Sequence, residues 1–413
     1  LATNNLSSIV VGLDIGTTKV CTVIGRIEQD LEIIGVSTVP STGLRRGVVI
    51  DIEETARSIA SSVQKAEIQA GETVQGVYIG ISGGHIEGIT SRGVVAISEK
   101  NREITEADVK RVIDAATAIV LPVDRDVIHV IPQEFIVDSE EGIRDPVGMS
   151  ASRLEAVVHI VTAATTSLNN TLKAVKKAGC EVQDIVLQPL AASRAIVSDE
   201  ERDMGVLVID IGGGTTDYVI FKEGSLRDTG ILALGGNHIT NDVAYGLKTS
   251  FAVAEEVKKA FGCAIADYVD EDEVIEVPSV GRNLPRMESK RLLAEIIQPR
   301  IEEILSLVYQ SVAEDYSLDG LLGGVILTGG VSLTPYITEL ASEIFNMPVR
   351  VGRPLGVRGL RDMVDSPIYS TAVGLCLYAM DHAPRLGATD YKDEEKNINS
   401  LVERLKEWVK EFF

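Results

Sequence analysis

The chain has 413 residues, 45% hydrophobic and 24% charged, long enough for two or more core-bearing domains and too apolar for a disordered polymer. A formal net charge of −22 and an aromatic content of 4% exclude an ordinary nucleic-acid reader, because such a surface repels a phosphate polymer and no basic stripe carries interleaved aromatics. Four scattered cysteines (Cys21, Cys180, Cys263, Cys376) form no CxxC pair, which argues against a zinc ribbon or disulfide framework and for a reducing compartment.

The five histidines show neither an HExxH pattern nor clustering and read as structural. No basic-then-apolar leader follows Leu1, and no apolar stretch approaches the ~20 residues needed to span a bilayer.

In chain order, an apolar run from Ile9 to Leu13 reads as a strand ending in Asp14-Ile15-Gly16-Thr17-Thr18-Lys19. A second strand, Val20 to Ile24, leads through the polar turn Glu28-Gln29-Asp30 to a third apolar run. Next, Gly80-Ile81-Ser82-Gly83-Gly84 matches the GxSxG nucleophile elbow. That motif needs a helix after its serine, and His85 to Ile97 reads as a strand, so a hydrolase is disfavoured. Between Gly84 and Thr165 lies an α+β insert. It has a strand at Val94–Ile97 and a helix started by the capping pattern Thr105-Glu106-Ala107-Asp108 that runs to about Ile119. Strands follow at Val127–Ile131, Gln133–Val137 and Leu154–Val161.

The opening pattern then returns. Gly205 to Ile209 ends in Asp210-Ile211-Gly212-Gly213-Gly214-Thr215-Thr216-Asp217, followed by Tyr218 to Phe221, the turn Lys222-Glu223-Gly224 and another apolar run. Two similar domains facing each other are the simple reading. Glycines at 16 and 212–214 let backbone N–H groups turn toward an anion without a Cβ in the way. Thr17, Thr18, Thr215 and Thr216 add hydroxyl donors, and Lys19 adds a positive charge. Asp14 and Asp210, at strand ends, could hold a magnesium ion through water, which offsets their repulsion of phosphate. The two turns would clamp one triphosphate. The Walker pattern GxxxxGK[ST] is absent.

At the C-terminus a polar linker precedes Ile398–Phe413. At helical pitch Leu401, Leu405, Trp408, Val409, Phe412 and Phe413 share one face with Ile398 and Val402, opposite Glu403, Glu407 and Glu411. A helix lying in a membrane interface suits this pattern, the alternative being a helix packed on its own core or on a partner helix. Its eight apolar side chains bound the binding energy at about 12 kcal/mol, so one copy is expected to bind reversibly and a polymer tightly.

The paired turns resemble the two phosphate loops of the actin, Hsp70 and sugar-kinase superfamily. Leu187–Ser193 is similar to its connecting helix, which implies that Gln188 orients the attacking water. Val325–Gly330 resembles the strand and turn (Gly329, Gly330) beneath adenosine, and Pro367–Leu375 resembles the second connecting helix. Glu255 and Lys258 match positions that contact ribose and adenine. Within the superfamily, Ile131–Phe135 through Asp145–Met149 to His159 closely resembles the FtsA family of bacterial cell-division proteins, and the resemblance covers almost the whole chain.

That resemblance implies an α/β, actin-like (ribonuclease-H-like) two-lobed fold with an inserted α+β subdomain and a C-terminal amphipathic helix. Residues 1–84 and 166–200 would form lobe 1 (1A), 85–165 the insert (1C), 201–240 and 308–383 lobe 2 (2A), and 241–307 a nucleotide-side subdomain (2B). A linker at 384–397 and the membrane helix at 398–413 would follow. Also implied are ATP and Mg2+ as cofactors and at most weak ATPase activity. Filaments would form on the inner face of the cytoplasmic membrane at the division site, the insert would contact other division proteins, and no nucleic acid would be bound. The C-terminal peptide of the tubulin-like FtsZ would bind subdomain 2B, with Arg291, Arg300 and Glu303 as candidate contacts. The alternatives left open are a sugar-kinase-like phosphotransferase, with Asp217 as a candidate base, an Hsp70-like engine and an MreB-like cytoskeletal protein.

Overall fold

A computed structural model describes residues 8–97, 103–278, 285–316 and 318–382. Two mixed sheets share one topology. In the first, Ser8–Ile15 pairs antiparallel with Lys19–Ile27, which pairs antiparallel with Leu31–Pro40. On its other side Ser8–Ile15 runs parallel to Gly76–Ile81, and that strand is parallel to Glu181–Leu187. The second sheet repeats this. Val206–Ile211 is antiparallel to Thr216–Lys222, which is antiparallel to Ser225–Leu232, and is parallel to Val325–Thr328, itself parallel to Val349–Val351. The apolar runs before both glycine turns are therefore the central strands. Every residue of Val206–Ile211 is buried, as expected for a strand flanked on both sides within the sheet and covered on both faces.

The helices Gln188–Ile196 and Ser370–His382 cross between the sheets. A Cβ on Gly374 would overlap the Ala191 carbonyl, so the crossing brings backbone against backbone. The small residues of this segment serve that approach. One apolar core unites the first lobe with the inner face of the second, from Leu13, Val23 and Ile79 through Leu375 to Val208, Val219 and Phe221. A separate core lies under the outer face of lobe 2 and the helices Gly236–Gly246, Phe251–Phe261 and Lys290–Asp315.

The insert is a four-stranded antiparallel sheet, in spatial order Ile86–Ala96, Arg153–Ala164, Arg125–Val137 and Glu140–Ile143, with the helix Glu106–Thr117 packed on it and a core of its own. Thr105 caps that helix in a capping box with Asp108, as its sequence signals. The two strands expected at Val127–Ile131 and Gln133–Val137 are one continuous strand. Pro132 has no N–H to give to the ladder, and the register shift beside it, where Val157 faces Glu134 and Val158 faces Pro132, skips Gln133 and carries the strand through. The strand expected at Val94–Ile97 begins earlier, at Ile86. The linker and the amphipathic segment, with Leu401, Leu405, Trp408, Val409, Phe412 and Phe413, lie outside the described residues. Among the described residues no helix is long and apolar enough to cross a membrane.

Candidate functional site

Each glycine turn closes with one backbone hydrogen bond, Gly16 N to the Lys19 carbonyl at 2.9 Å and Gly212 N to the Thr215 carbonyl at 3.0 Å. The two turns come from different lobes and meet. A Cβ on Gly213 would overlap the Thr18 side chain, and one on Gly214 would overlap Thr17, so glycine is what permits the contact. Beneath them lie Asp14 and Asp210 at equivalent positions of the two central strands, 6% and 9% exposed. Thr216 is turned away from the corner, its hydroxyl donating to the Leu234 carbonyl at 2.9 Å.

Two buried carboxylates this close need compensation. Asp14 accepts from Lys19 Nζ at 2.8 Å and from Gln188 Nε2 at 3.0 Å, and Lys19 also donates to the Ile368 carbonyl at 2.6 Å. Burial opposes the charge on the Lys19 ammonium, yet Asp14 beside it holds its pKa above the ordinary value. Asp210 accepts from Thr371 Oγ1 at 3.2 Å. Burial first and the Asp14 charge second push Asp210 up to about 6. Such a carboxyl keeps its proton up to about pH 6, and a cation bound beside it would favour the ionised form. Among the described residues no group of three or more His, Cys, Asp or Glu is arranged to hold a metal by itself.

Gly329 takes a φ of 83°, and a Cβ there would overlap Asp210 Oδ1, so the turn after Val325–Thr328 lies directly over that carboxylate. Gly330 faces open space, with no atom beyond its immediate chain surroundings within 4 Å of its ideal Cβ position. Glu255 and Lys258 form a half-buried ion pair at 2.6 Å. Both are tied to the start of the helix Gly236–Gly246: Lys258 Nζ donates to Thr240 Oγ1 at 2.7 Å and to the Gly236 carbonyl at 3.1 Å, and Thr240 donates to Glu255 at 2.5 Å. That helix in turn donates from Gly236 and Asn237 to the carbonyls of Gly212 and Gly213. The pair is thereby joined to the second turn.

Arg291, Arg300 and Glu303 all lie on the helix Lys290–Asp315. Arg300 is clamped by Asp242 at 2.6 Å and by Glu303, and Arg291 by Asp267 at 2.7 Å with Glu271 and Glu295 nearby. Their charges are engaged within the chain, so a peptide would meet these ion pairs and not bare guanidinium groups.

Ser82 stands in the GxSxG pattern without being an elbow serine. A turn and the strand Ile86–Ala96 follow it, not a helix, yet the serine is a cleft residue. Its Oγ donates to Asp217 Oδ1 at 2.5 Å and lies 3.1 Å from Thr215 Oγ1, which donates to Asp217 Oδ2 at 3.0 Å. Burial above all, reinforced by the Asp210 and Asp14 charges, raises Asp217 to about 7 against the opposing hydrogen bonds of Ser82 and Thr215. The signal that marks Ser82 is its place at the carboxyl end of a parallel strand, where α/β sheets gather their ligands.

Comparison with known proteins places this geometry in a family. A model for the SHS2 domain inserted in FtsA matches residues 83–162, and the cell division protein FtsA model matches 207–374. FtsA of Pseudomonas aeruginosa is 42% identical over 99% of this chain and 99% of its own length. The chain belongs to the FtsA family. Another FtsA, from Borreliella burgdorferi, is 40% identical over 98% of this chain and 99% of its own. More distant solved structures share the actin-like fold. The PilM–PilN type IV pilus biogenesis complex has a TM-score of 0.62 at 18% identity, covering 90% of this chain and 98% of that one. MreB5 of Spiroplasma citri bound to ADP has 0.54 at 16% identity, covering 89% and 94%. The MamK double helical filament has 0.52 at 14%, covering 91% and 99%. Membership of this family gives the protein a role in cell division.

Proposed function

We propose that this member of the FtsA family binds ATP with magnesium between its lobes, assembles into filaments on the inner face of the cytoplasmic membrane and tethers the FtsZ ring there. The observation that carries the nucleotide reading is the contact of two glycine turns from opposite lobes above Asp14 and Asp210. The backbone N–H groups and hydroxyls of Gly16, Thr17, Thr18, Gly212, Gly213, Gly214 and Thr215 would surround the phosphates, with Lys19 as fixed positive charge. Thr216 would brace the second turn through its bond to Leu234. Glu255 and Lys258 would face the ribose and base, and Gly329 and Gly330 would form the floor beneath adenosine.

Two carboxylates, outside any metal-holding group of three or more His, Cys, Asp or Glu among the described residues, suit magnesium, which keeps water and takes oxygens from its substrate in preference to a full protein cage. Asp14 and Asp210 would hold it through water. Bound there, the ion would neutralise phosphate charge. Gln188 is held by Asp14 and would orient a water, but an amide accepts no proton at neutral pH, so hydrolysis is slow. A phosphotransferase is disfavoured because Asp217, the candidate base, is 2% exposed and so is closed to a substrate alcohol, with Thr215 bonded to one of its oxygens.

The MamK filament and the MreB5 complexes with ADP and AMPPNP are the likenesses that support self-association and nucleotide binding. The insert would recruit other division proteins, the amphipathic C-terminal segment would hold lipid, and the subdomain bearing Arg291, Arg300 and Glu303 would receive the FtsZ peptide. The test is titration of a fluorescent ATP analogue with and without magnesium. Asp210→Ala is expected to lower the magnesium-dependent affinity at least about tenfold, by removing one of two charges facing the ion; unchanged affinity in the presence of magnesium refutes the clamp.

A further inference from the structure

The insert is rooted in the cleft. Ser82 stands immediately before Gly83, Gly84 and the insert's first strand, and it is hydrogen-bonded across the lobes to Asp217 at 2.5 Å and to Thr215, the residue that closes the second turn. The three side chains are buried, so no bulk water competes for these bonds. On its other side the same segment packs against Gly47, which is bonded to the first turn. Gly47 N donates to Thr17 Oγ1 at 3.0 Å, and an ideal Cβ on Gly47 would stand 2.7 Å from the Ser82 carbonyl and 2.8 Å from Gly83 Cα. Thus one short segment meets the second glycine turn directly and the first through Gly47, at the point where the chain leaves lobe 1.

Further along, the insert's strands reach both lobes. His129 Nε2 accepts from Leu187 N at 3.1 Å, one residue before Gln188. His159 Nε2 pairs with Thr229 Oγ1 at 2.9 Å, and Gln133 donates to the Arg227 carbonyl at 2.5 Å. A shift of Ser82 therefore acts on a sheet seated against Ser225–Leu232 of lobe 2. Gly83, at a φ of 133° that L side chains rarely adopt, and Gly84 after it provide backbone freedom for such a shift.

A serine hydroxyl has one proton to donate. Where it stands beside a phosphate-binding turn, a terminal phosphate and the Asp217 carboxyl compete for that proton. We propose that Ser82 is a further residue of the nucleotide site, a latch that bonds Asp217 when a diphosphate is bound and turns to the terminal phosphate of a triphosphate, so that the insert's seating on lobe 2 reports which nucleotide is present. This rests on the nucleotide reading given above. The latch lets ligand state reach the insert through one hydrogen bond exchanged for another, with little change in their number.

The test uses the full chain with ATP·Mg or ADP·Mg, measuring both affinities and hydrogen exchange over residues 83–97 and 225–232. Ser82→Ala is expected to lower the ATP-to-ADP affinity ratio about fivefold, the difference between a hydrogen bond to a fully charged phosphate and the weaker one to Asp217 that it replaces, with ADP affinity held within about twofold. It is also expected to erase the exchange difference between the two nucleotides in those segments. Ser82→Thr, which keeps the hydroxyl, restores both, a rescue that a merely structural loss of packing would not produce. An unchanged ratio in Ser82→Ala, or a Ser82→Thr variant that behaves like the alanine, overturns the latch. Failure of the wild-type chain to bind either nucleotide refutes the underlying nucleotide reading and the latch with it.

Discussion

Replacing Asp217 by asparagine is expected to stabilise the nucleotide-free protein at alkaline pH and to leave it nearly unchanged at acid pH. In the folded chain this carboxyl is 2% exposed and raised from 3.8 to about 7, chiefly by burial and then by the charges of Asp210 and Asp14. A folded-state value above the unfolded one means that the native state holds the proton more tightly. Its contribution is therefore fully present below about pH 4, declines as the unfolded chain ionises, and is lost once pH passes about 7. The gap between 3.8 and about 7 corresponds to a ceiling on the order of 4 kcal/mol, reached near pH 8. Asparagine keeps the acceptor for Ser82 and cannot ionise, so it removes this residue's share of the slope and leaves that of Asp210, which has the same sign. Urea melts of both proteins from pH 5 to pH 8, without nucleotide or magnesium, measure the difference. A stability gap that is constant across that range, or that widens toward acid, refutes the assignment of a buried, proton-retaining carboxyl.

Two other perturbations address the hinge and the tail. Gly374→Ala places a Cβ against the Ala191 carbonyl where the central helices cross, and thermal melting is expected to show a loss of more than about 3 kcal/mol; a loss below about 1 kcal/mol would mean that the helices separate freely. Truncation after Asn397 removes the amphipathic segment, and co-sedimentation with anionic liposomes in the presence of ATP is expected to fall to background, whereas equal pelleting of the intact and shortened chains removes that segment from membrane binding.

Local chemistry made much of this protein legible in advance. The two apolar runs ended by Gly16 and by Gly212–Gly214 became the central strands of matching sheets, because strand preference and tight-turn preference act over a handful of neighbouring residues. Thr105 and Asp108 announced the insert's helix for the same reason. Asp14, Lys19 and Gln188 were each named as single residues, and the fold brings them into one hydrogen-bonded group. Pro132 misled the reading because the bulge that rescues its missing hydrogen bond depends on the partner strand at Val157 and Val158, not on its own neighbours.

Ser82 and Asp217 stand 135 residues apart, in different lobes, and no periodicity or motif couples them. Their bond exists only because the lobes close on each other. The partners of Arg300 and Arg291 belong to the same class: a helical pattern exposes a charged face but does not name Asp242 or Asp267 as its counterions. The chain's own order of residues thus determined the hairpins, the glycine corners and the identity of the acidic pair. Only the tertiary structure decided which hydroxyl reaches which carboxylate, since contacts between lobes follow from the packing of shared apolar faces and not from the residues adjacent in the chain.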